Sequence, residues 1–519
     1  MTGLLHLGDV LACHARVHGD RVGARDLDRA MSFREWNARA CRLANALLGL
    51  GLAKGDRVAV LAYNCVEWLE IYAASAKAGI VAVPINFRLV AGEIRFIVEN
   101  CGARALIVQD ALTAPIEEVR GDLPIEAGRY IIIGAPAPGY LGYEALLARA
   151  RDSEPGQAVA PADPWMLMYT SGTTGKPKGA IRSHGAGAML SLVTAVELGF
   201  NVADSGLLAM PMCHANSLYF ASTLITCGGA VSVYSRRSFD PEHFLRTFAT
   251  GGESFTSLVP TQYIMMLELP AAVRGACDTQ RVRKLMISSA PARPDTKRAI
   301  MDYFANAGLF ELYGSTEAGW VTMLHPDEQF SKLGSVGREC VGTGPIRLIG
   351  EDGAEVADGE VGELYSRTPY VFDGYWGLPE KTREAFRGDY CTVNDMARRD
   401  ADGYYWLVDR KSNMIISGGE NIYPSEVEAL LAGHPAVREA AVIGLPDAKW
   451  GERVHGVVVL AEGSAAGEAE LLAWCRDRIA GYKRPRTISI IGEAEMPRTA
   501  TGKVQHRVLK TRLTDSARG

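Results

Sequence analysis

No run of about 18 apolar residues occurs in the chain, so the sequence excludes a membrane-spanning helix. Its ten cysteines are scattered, with no C-x-x-C pair and none clustered with histidines at zinc-like spacing. That argues against a structural zinc site and for reduced thiols in a cytoplasmic setting. Residues Met1 to Asp20 lack a basic n-region, and His6 and Asp9 interrupt their short apolar stretch, so no secretory leader is expected. A net charge of −5 gives no electrostatic reason to expect nucleic-acid binding. Short-period repeats and low-complexity tracts are absent as well. What remains, 48% hydrophobic and 22% charged residues over 519 positions, is globular in make-up and too long for one compact core.

Short β-branched runs alternate with longer amphipathic stretches. Residues 57–61, 105–108, 130–133, 231–234, 255–259 and 285–288 read as buried strands, and 66–78, 241–250 and 292–305 as helices. Such alternation predicts an α/β fold, with parallel sheets covered by helices in a large body. Pro155-Gly156, with Pro161 and Pro164 close behind, marks a connection. The tail reads as a separate unit: a strand at 403–408, polar residues 409–413, a helix opened by Pro424 with Ser425 as its candidate cap, strands at 440–443 and 454–460, and a helix at 468–479. A boundary placed at 410/411 gives a body of 1–410 and a small α+β domain of 411–519.

The apolar stretch Trp165 to Met168 runs into Tyr169-Thr170-Ser171-Gly172-Thr173-Thr174-Gly175-Lys176-Pro177-Lys178-Gly179. Small residues let backbone N–H groups converge on an anion, while hydroxyls and ammonium groups add donors and charge. That chemistry suits nucleotide phosphates. It is not a Walker A loop, because Pro177 follows Lys176 where a hydroxyl should stand. The segment resembles the phosphate loop of the adenylate-forming superfamily, which holds acyl-CoA synthetases, luciferases and the adenylation domains of peptide synthetases. The resemblance assigns Thr170, Ser171, Gly172, Thr173, Thr174, Gly175 and Lys178 to ATP.

Further segments follow in the same family's order. In Phe310-Glu311-Leu312-Tyr313-Gly314-Ser315-Thr316-Glu317 an aromatic can cover a purine, a glycine permits close backbone approach, and a carboxylate can hold Mg²⁺ beside phosphates. The run resembles the Y-G-x-T-E motif, which implies Tyr313 on adenine, Thr316 near the α-phosphate, Glu317 on the metal, and Glu311, Leu312 and Gly314 around the nucleotide. Asp395, with Gly403-Tyr404-Tyr405 and Asp409-Arg410 after it, matches the ribose region, where a carboxylate accepts from both hydroxyls and Arg410 bridges ribose and phosphate. Val393-Asn394-Asp395 departs there from the family's T-G-D. Ala290, in Ser289-Ala290-Pro291, lies where the family offers backbone to the adenine edge. Pro497-Arg498-Thr499-Ala500-Thr501-Gly502-Lys503 resembles P-x-T-x-x-G-K, whose lysine serves adenylation.

The resemblance therefore implies an AMP-forming acyl-CoA synthetase using ATP, Mg²⁺ and CoA, built as a large N-terminal body with a small mobile C-terminal domain. It places the hinge at Ser412 and the pantetheine channel along Ile416 to Asn421, with Gly418 and Gly419 leaving room for a narrow chain. His214 matches a position near the substrate carboxylate, and Ala215, Leu218, Ala318 and Trp320 form candidate apolar walls with Met212 and Tyr219. No acidic residue lies between Pro211 and Phe220 to pair an α-ammonium, which counts against an amino-acid substrate. An aliphatic, aromatic or polycyclic acid is expected. The residues leave open a carrier-protein thiol as acceptor, luciferase-like oxidation and a regulator without turnover, as well as a homodimer.

Overall fold

The computed structural model describes residues 6–516, apart from 171–176, 289–291, 412, 418–419, 448, 477 and 500–501. The chain forms two units: Met1–Pro345 with Ser366–Cys391, and Ile346–Tyr365 with Thr392–Gly519. The architecture is α/β, with a large N-terminal body and a smaller C-terminal sheet domain. The division at 410/411 falls inside the second unit, because residues 346–365 and 392–410 cluster with the C-terminal sheet.

Two sheets organise the first unit. The eight-stranded one runs, in spatial order, Gly374–Tyr375, Lys178–Ser183, Pro164–Thr170, Val81–Ile85, Arg57–Leu61, Ala105–Gln109, Tyr130–Ile133 and Leu141–Gly142. From Pro164–Thr170 onward its neighbours are parallel. Val58 to Leu61 have no exposed surface, as expected of a strand covered on both faces. Helix Glu67–Ala78 follows and stops at Gly79, whose φ of 65° is the left-handed conformation glycine adopts without penalty. The chain then re-enters the sheet as a parallel neighbour.

The nine-stranded sheet carries Lys284–Ser288 between Phe255–Leu258 and Gly308–Ser315, all parallel, with Ser205–Leu208 beyond. Residues 209–214, which include the start of the Pro211 to Ser217 segment, and residues 316–318, which include Thr316 and Glu317, follow the C-terminal ends of strands Ser205–Leu208 and Gly308–Ser315. That edge is where open α/β sheets bind ligands.

In the second unit, residues 395–399 of strand Tyr390–Arg399 pair antiparallel with strand Tyr405–Arg410. A separate sheet holds Ile415–Ser417, Glu420–Ile422, Val437–Asp447, Gly451–Leu460 and Thr487–Ile490. Its long hairpin obeys a period of two: Val442, Val454 and Val458 pack with Val427 and Leu431 of helix Pro424–Ala432, whereas Ala441, Ile443, Val457 and Val459 pack with Leu509 of helix His506–Ser516.

Ser425 does not cap its helix. Pro424 takes the first helical position, so the cap is Tyr423, and Ser425 sits one residue inside. Its backbone N–H donates to Asp409 Oδ2 at 3.0 Å, and its hydroxyl donates to the Val408 carbonyl. The helix expected over 468–479 is shorter, Glu468–Trp474. Among the described residues no helix is long and apolar enough to cross a membrane.

Candidate active site

The strands on either side of the glycine-rich segment pair with each other. Strand Pro164–Thr170 leads in and Lys178–Ser183 returns antiparallel, with Thr170 opposite Lys178. Ser171, Gly172, Thr173, Thr174 and Gly175 lie outside the described residues, as do Ala290, Ser412, Gly418 and Gly419. Thr170, at the end of the first of these strands, donates from Oγ1 to Glu317 Oε1 at 3.2 Å. The Tyr375 hydroxyl donates to the same oxygen at 2.9 Å, and Lys178 Nζ stands 4.1 Å from the centre of the Tyr375 ring. Thus Thr170, Lys178, Glu317 and Tyr375 form one cluster, with Glu317 only 7% exposed.

Glu317 sits in the turn between strands Gly308–Ser315 and Gly319–Leu324. The turn is tight: a Cβ on Gly314 would stand 2.3 Å from the Gly319 carbonyl oxygen, so the close approach that glycine permits is to its own hairpin partner. Ser315 Oγ accepts from Ala318 N at 2.9 Å, and the Phe372 N–H donates to the Glu317 carbonyl at 2.7 Å. Arg182 fastens the turn from below. It has no exposed surface, and its Nη1 donates to the carbonyls of Thr316 and Glu317, both at 3.1 Å. Sequence reading missed Arg182 and Tyr375. Arg182 lies in strand Lys178–Ser183, whose charged residues mask the β pattern, and of its guanidinium only Nη1 is paired, Nε and Nη2 being buried without a partner. Tyr313 and Leu312 are buried in the hairpin that bears Glu317, and Glu311 is held by an ion pair with Lys297. Burial raises the Glu311 carboxyl above the usual range, and Lys297 opposes that shift.

Mg²⁺ characteristically binds one or two carboxylates and completes its octahedron with phosphate and water. Glu317, a buried carboxylate oriented by two hydroxyls beside a phosphate loop, fits that requirement. Among the described residues no three His, Cys, Asp or Glu side chains converge on one point.

The loop before helix Ala215–Thr226 is pinned at several points. Asn64 accepts from Met212 N at 2.8 Å and donates to the Met210 carbonyl at 3.1 Å, Ser217 Oγ donates to that carbonyl at 2.7 Å, and the Tyr72 hydroxyl to the Met212 carbonyl at 2.8 Å. His214 occupies the N-cap position. Burial, assisted by the charge of Arg88, lowers its pKa to about 4, so the imidazole is neutral near pH 7. Ala215 starts the helix, and Leu218, Ala318 and Trp320 are buried. Trp320 Nε1 donates to Thr194 Oγ1 at 2.8 Å, and its ring meets Tyr219 edge-on at 5.4 Å and stacks on Phe220 at 5.5 Å.

In the second unit Asp395 lies opposite Arg410 across the strand pair, and Arg410 Nε donates to Asp395 Oδ1 at 3.1 Å. The departure at Val393-Asn394 is accommodated by the backbone. Asn394, where the family places glycine, has φ 64°, and among the described residues it is the sole non-glycine with positive φ. Asparagine is the side chain that best tolerates this region. Lys503 follows a turn in which Gly502 has φ 85°, Lys503 N donates to Thr499 Oγ1 at 3.1 Å, and Thr499 N donates to the Lys503 carbonyl at 2.7 Å. More than a third of its surface stays open to water, yet its surroundings lower its pKa, first by desolvation, then by the charge of Arg410, with Asp395 opposing. The charges of Arg410 and Asp395 thus both act on the Lys503 ammonium.

The sequence bears out the class that this geometry suggests. Residues 11–376 match the AMP-binding enzyme family and residues 426–503 the AMP-binding enzyme C-terminal domain, and the chain belongs to that family. It is 36% identical over 501 residues to a feruloyl-CoA synthase from Amycolatopsis sp, covering 96% of this chain and 97% of that one. It is 34% identical over 504 residues to an indoleacetate–CoA ligase from Aromatoleum aromaticum, with the same two coverages. Among solved structures, an anthranilate CoA ligase in complex with anthranoyl-AMP superposes with a TM-score of 0.90 at 27% identity, over 100% of this chain and 99% of that one.

Proposed function

We propose that the protein is an ATP-dependent carboxylic acid:CoA ligase that releases AMP and pyrophosphate. Hydroxide is a poor leaving group, so a carboxylate must be activated before a thiol can displace it. The acid's oxygen attacks the α-phosphorus of ATP, the bond to pyrophosphate breaks, and an acyl-adenylate results. The CoA thiol then loses its proton and attacks the acyl carbon, expelling AMP.

Each cluster has a part in this sequence. Thr170, Ser171, Gly172, Thr173, Thr174, Gly175 and Lys178 hold the leaving phosphates, while Thr316 and Glu317 sit at the α-phosphate. Mg²⁺ bound at Glu317 supplies charge neutralisation for the phosphates. Leu312, Tyr313 and Gly314 with Ala290 enclose the adenine, and Asp395 and Arg410 take the ribose. Neutral His214 lies at the substrate carboxylate, where it can donate a hydrogen bond without withdrawing the nucleophile's charge. Lys503 brings an ammonium to the negative charge that develops during adenylation. Rotation of residues after Ser412 then replaces that ammonium with the segment bearing Gly418 and Gly419, which borders the pantetheine chain.

The observation that carries this reading is the Glu317 carboxylate, held by Tyr375 and by Thr170, the residue that leads into the glycine-rich segment. The test is a panel of carboxylic acids assayed for AMP formation with and without CoA, and with a pantetheinylated carrier protein as competing acceptor. Acid-dependent AMP formation that requires free CoA for turnover is the expected result. Pyrophosphate release independent of any acid, or transfer to the carrier alone, would overturn it.

A further inference from the structure

Three polar atoms at the start of helix Ala215–Thr226 are buried without a hydrogen-bond partner: His214 Nε2, Asn216 Oδ1 and Tyr219 OH. Leaving such a group unpaired costs about 1–3 kcal/mol, and native interiors contain few. Asn216 is firmly held. Its Nδ2 donates to Ser257 Oγ at 3.0 Å and Ser288 Oγ at 2.8 Å, at the C-terminal ends of two adjacent parallel strands. Both amide hydrogens are thereby engaged, and the carbonyl oxygen keeps its lone pairs. Turned over, the amide would accept from the two serine hydroxyls and leave its NH₂ unpaired, so in either orientation one polar end of Asn216 is left for a ligand. Tyr219 lies three residues further on, so it shares a helix face with Asn216. Its ring is fixed by Trp320 at 5.4 Å and by Arg182, whose guanidinium lies 5.4 Å from the ring centre, while its hydroxyl bonds to nothing.

His214 is accounted for by the substrate carboxylate. Asn216 and Tyr219 are not, and Tyr219 meets edge-on the Trp320 ring on which Phe220 stacks. An alkyl chain packed here would bury both polar atoms dry. Apolar walls with a few fixed polar points are the pattern of a site that recognises a substituted ring. We propose that the acid activated here is an aromatic one whose ring carries a hydrogen-bonding substituent, a hydroxyl or an N–H group, that pairs with the unpaired end of the Asn216 amide and lies within reach of the Tyr219 hydroxyl. This rests on the ligase reading and sharpens its substrate class.

The experiment compares kcat/KM for AMP formation with CoA present, using benzoate and 3-phenylpropanoate, their 3- and 4-hydroxy and amino derivatives, and octanoate. In the wild type the best donor-bearing isomer exceeds its unsubstituted parent by roughly 10- to 100-fold, the factor that leaving a built polar partner unpaired implies. Asn216→Leu collapses that ratio to about unity, and Tyr219→Phe, which keeps the ring, reduces it. Equal rates for substituted and unsubstituted acids, or a preference for octanoate, overturn the inference while sparing the ligase reading. No AMP from any acid overturns both. The wild-type comparison decides the matter even where a variant fails to fold.

Discussion

The two units hold their principal charged groups in opposite ways. Glu317 in the first unit is 7% exposed, receives two hydroxyls on one oxygen, and stands on a turn fastened by Arg182. Lys503 in the second unit is exposed, follows a glycine-bearing turn, and is tied mainly through its own backbone to Thr499. On the proposed reading Glu317 holds Mg²⁺ beside the phosphates throughout the reaction, and such a group gains from being preorganised and immobile. One needed in a single half-reaction gains from a short, reachable tether. The contrast is between a fixed anvil and a delivered charge.

The sharpest way to break this contrast is Lys503→Ala. Adenylation falls by roughly 10²- to 10³-fold, the loss typical of removing one preorganised charge contact. Thioester formation from supplied acyl-adenylate is largely retained, measured as CoA consumption in the absence of ATP. Equal losses in the two half-reactions would refute the assignment.

Acid treats the units alike. Burial brings His214 in the first unit and His455 in the second to pKa values of about 4, with Arg88 and Arg453 adding to the depression. Unfolded histidine titrates near 6.5. The unfolded chain therefore binds protons that the folded one refuses, so the stability owed to each neutral imidazole is complete above pH 6.5 and is lost as pH falls toward 4, at about 1.4 kcal/mol per unit. Urea unfolding from pH 7 to 4.5 tests this. His214→Asn and His455→Asn each flatten the slope, and an unchanged slope in either removes that residue from the account.

Tyr375→Phe probes the fixed side more gently. It deletes one of the two hydroxyls on Glu317 Oε1 and lowers adenylation about tenfold, the value of one hydrogen bond to a charged group. A raised Mg²⁺ requirement accompanies the loss; a normal Mg²⁺ dependence would detach Tyr375 from the metal site. The smallest effect is at Asn394. Asn394→Gly changes thermal stability by no more than a few tenths of a kcal/mol, whereas Asn394→Ala costs about 1 kcal/mol because alanine resists φ 64°. Identical melting temperatures for both variants would show that the strain is absent.

Much of this was legible in the residues. Strands Arg57–Leu61 and Tyr130–Ile133 were read with their observed limits, because apolar runs of four or five residues rich in β-branched side chains are too short for a buried helix. The strand Lys178–Ser183 was not, since its lysine, glycine and arginine hide the β pattern and its pairing with Pro164–Thr170 is decided by tertiary contact. Arg182, Tyr375, Ser257 and Ser288 belong to the site only through neighbours far away in sequence, which a linear reading cannot supply. Ser425 shows the limit of local chemistry. Its hydroxyl suits a cap, but Pro424 shifts the helix start by one residue, and the hydroxyl turns to Val408 instead. At Val393-Asn394 the sequence raised a question that one backbone angle answers.

The chain passes between its two units at 345/346, 365/366 and 391/392. A domain graft made at 410/411, the natural junction by sequence, would carry Lys503 to the recipient while Asp395 and Arg410 stayed with the donor. The recipient's own ribose-side pair would then set the field around the incoming ammonium. On the proposed reading, chimeras exchanged at that seam therefore inherit their adenylation lysine and its electrostatic tuning from different parents.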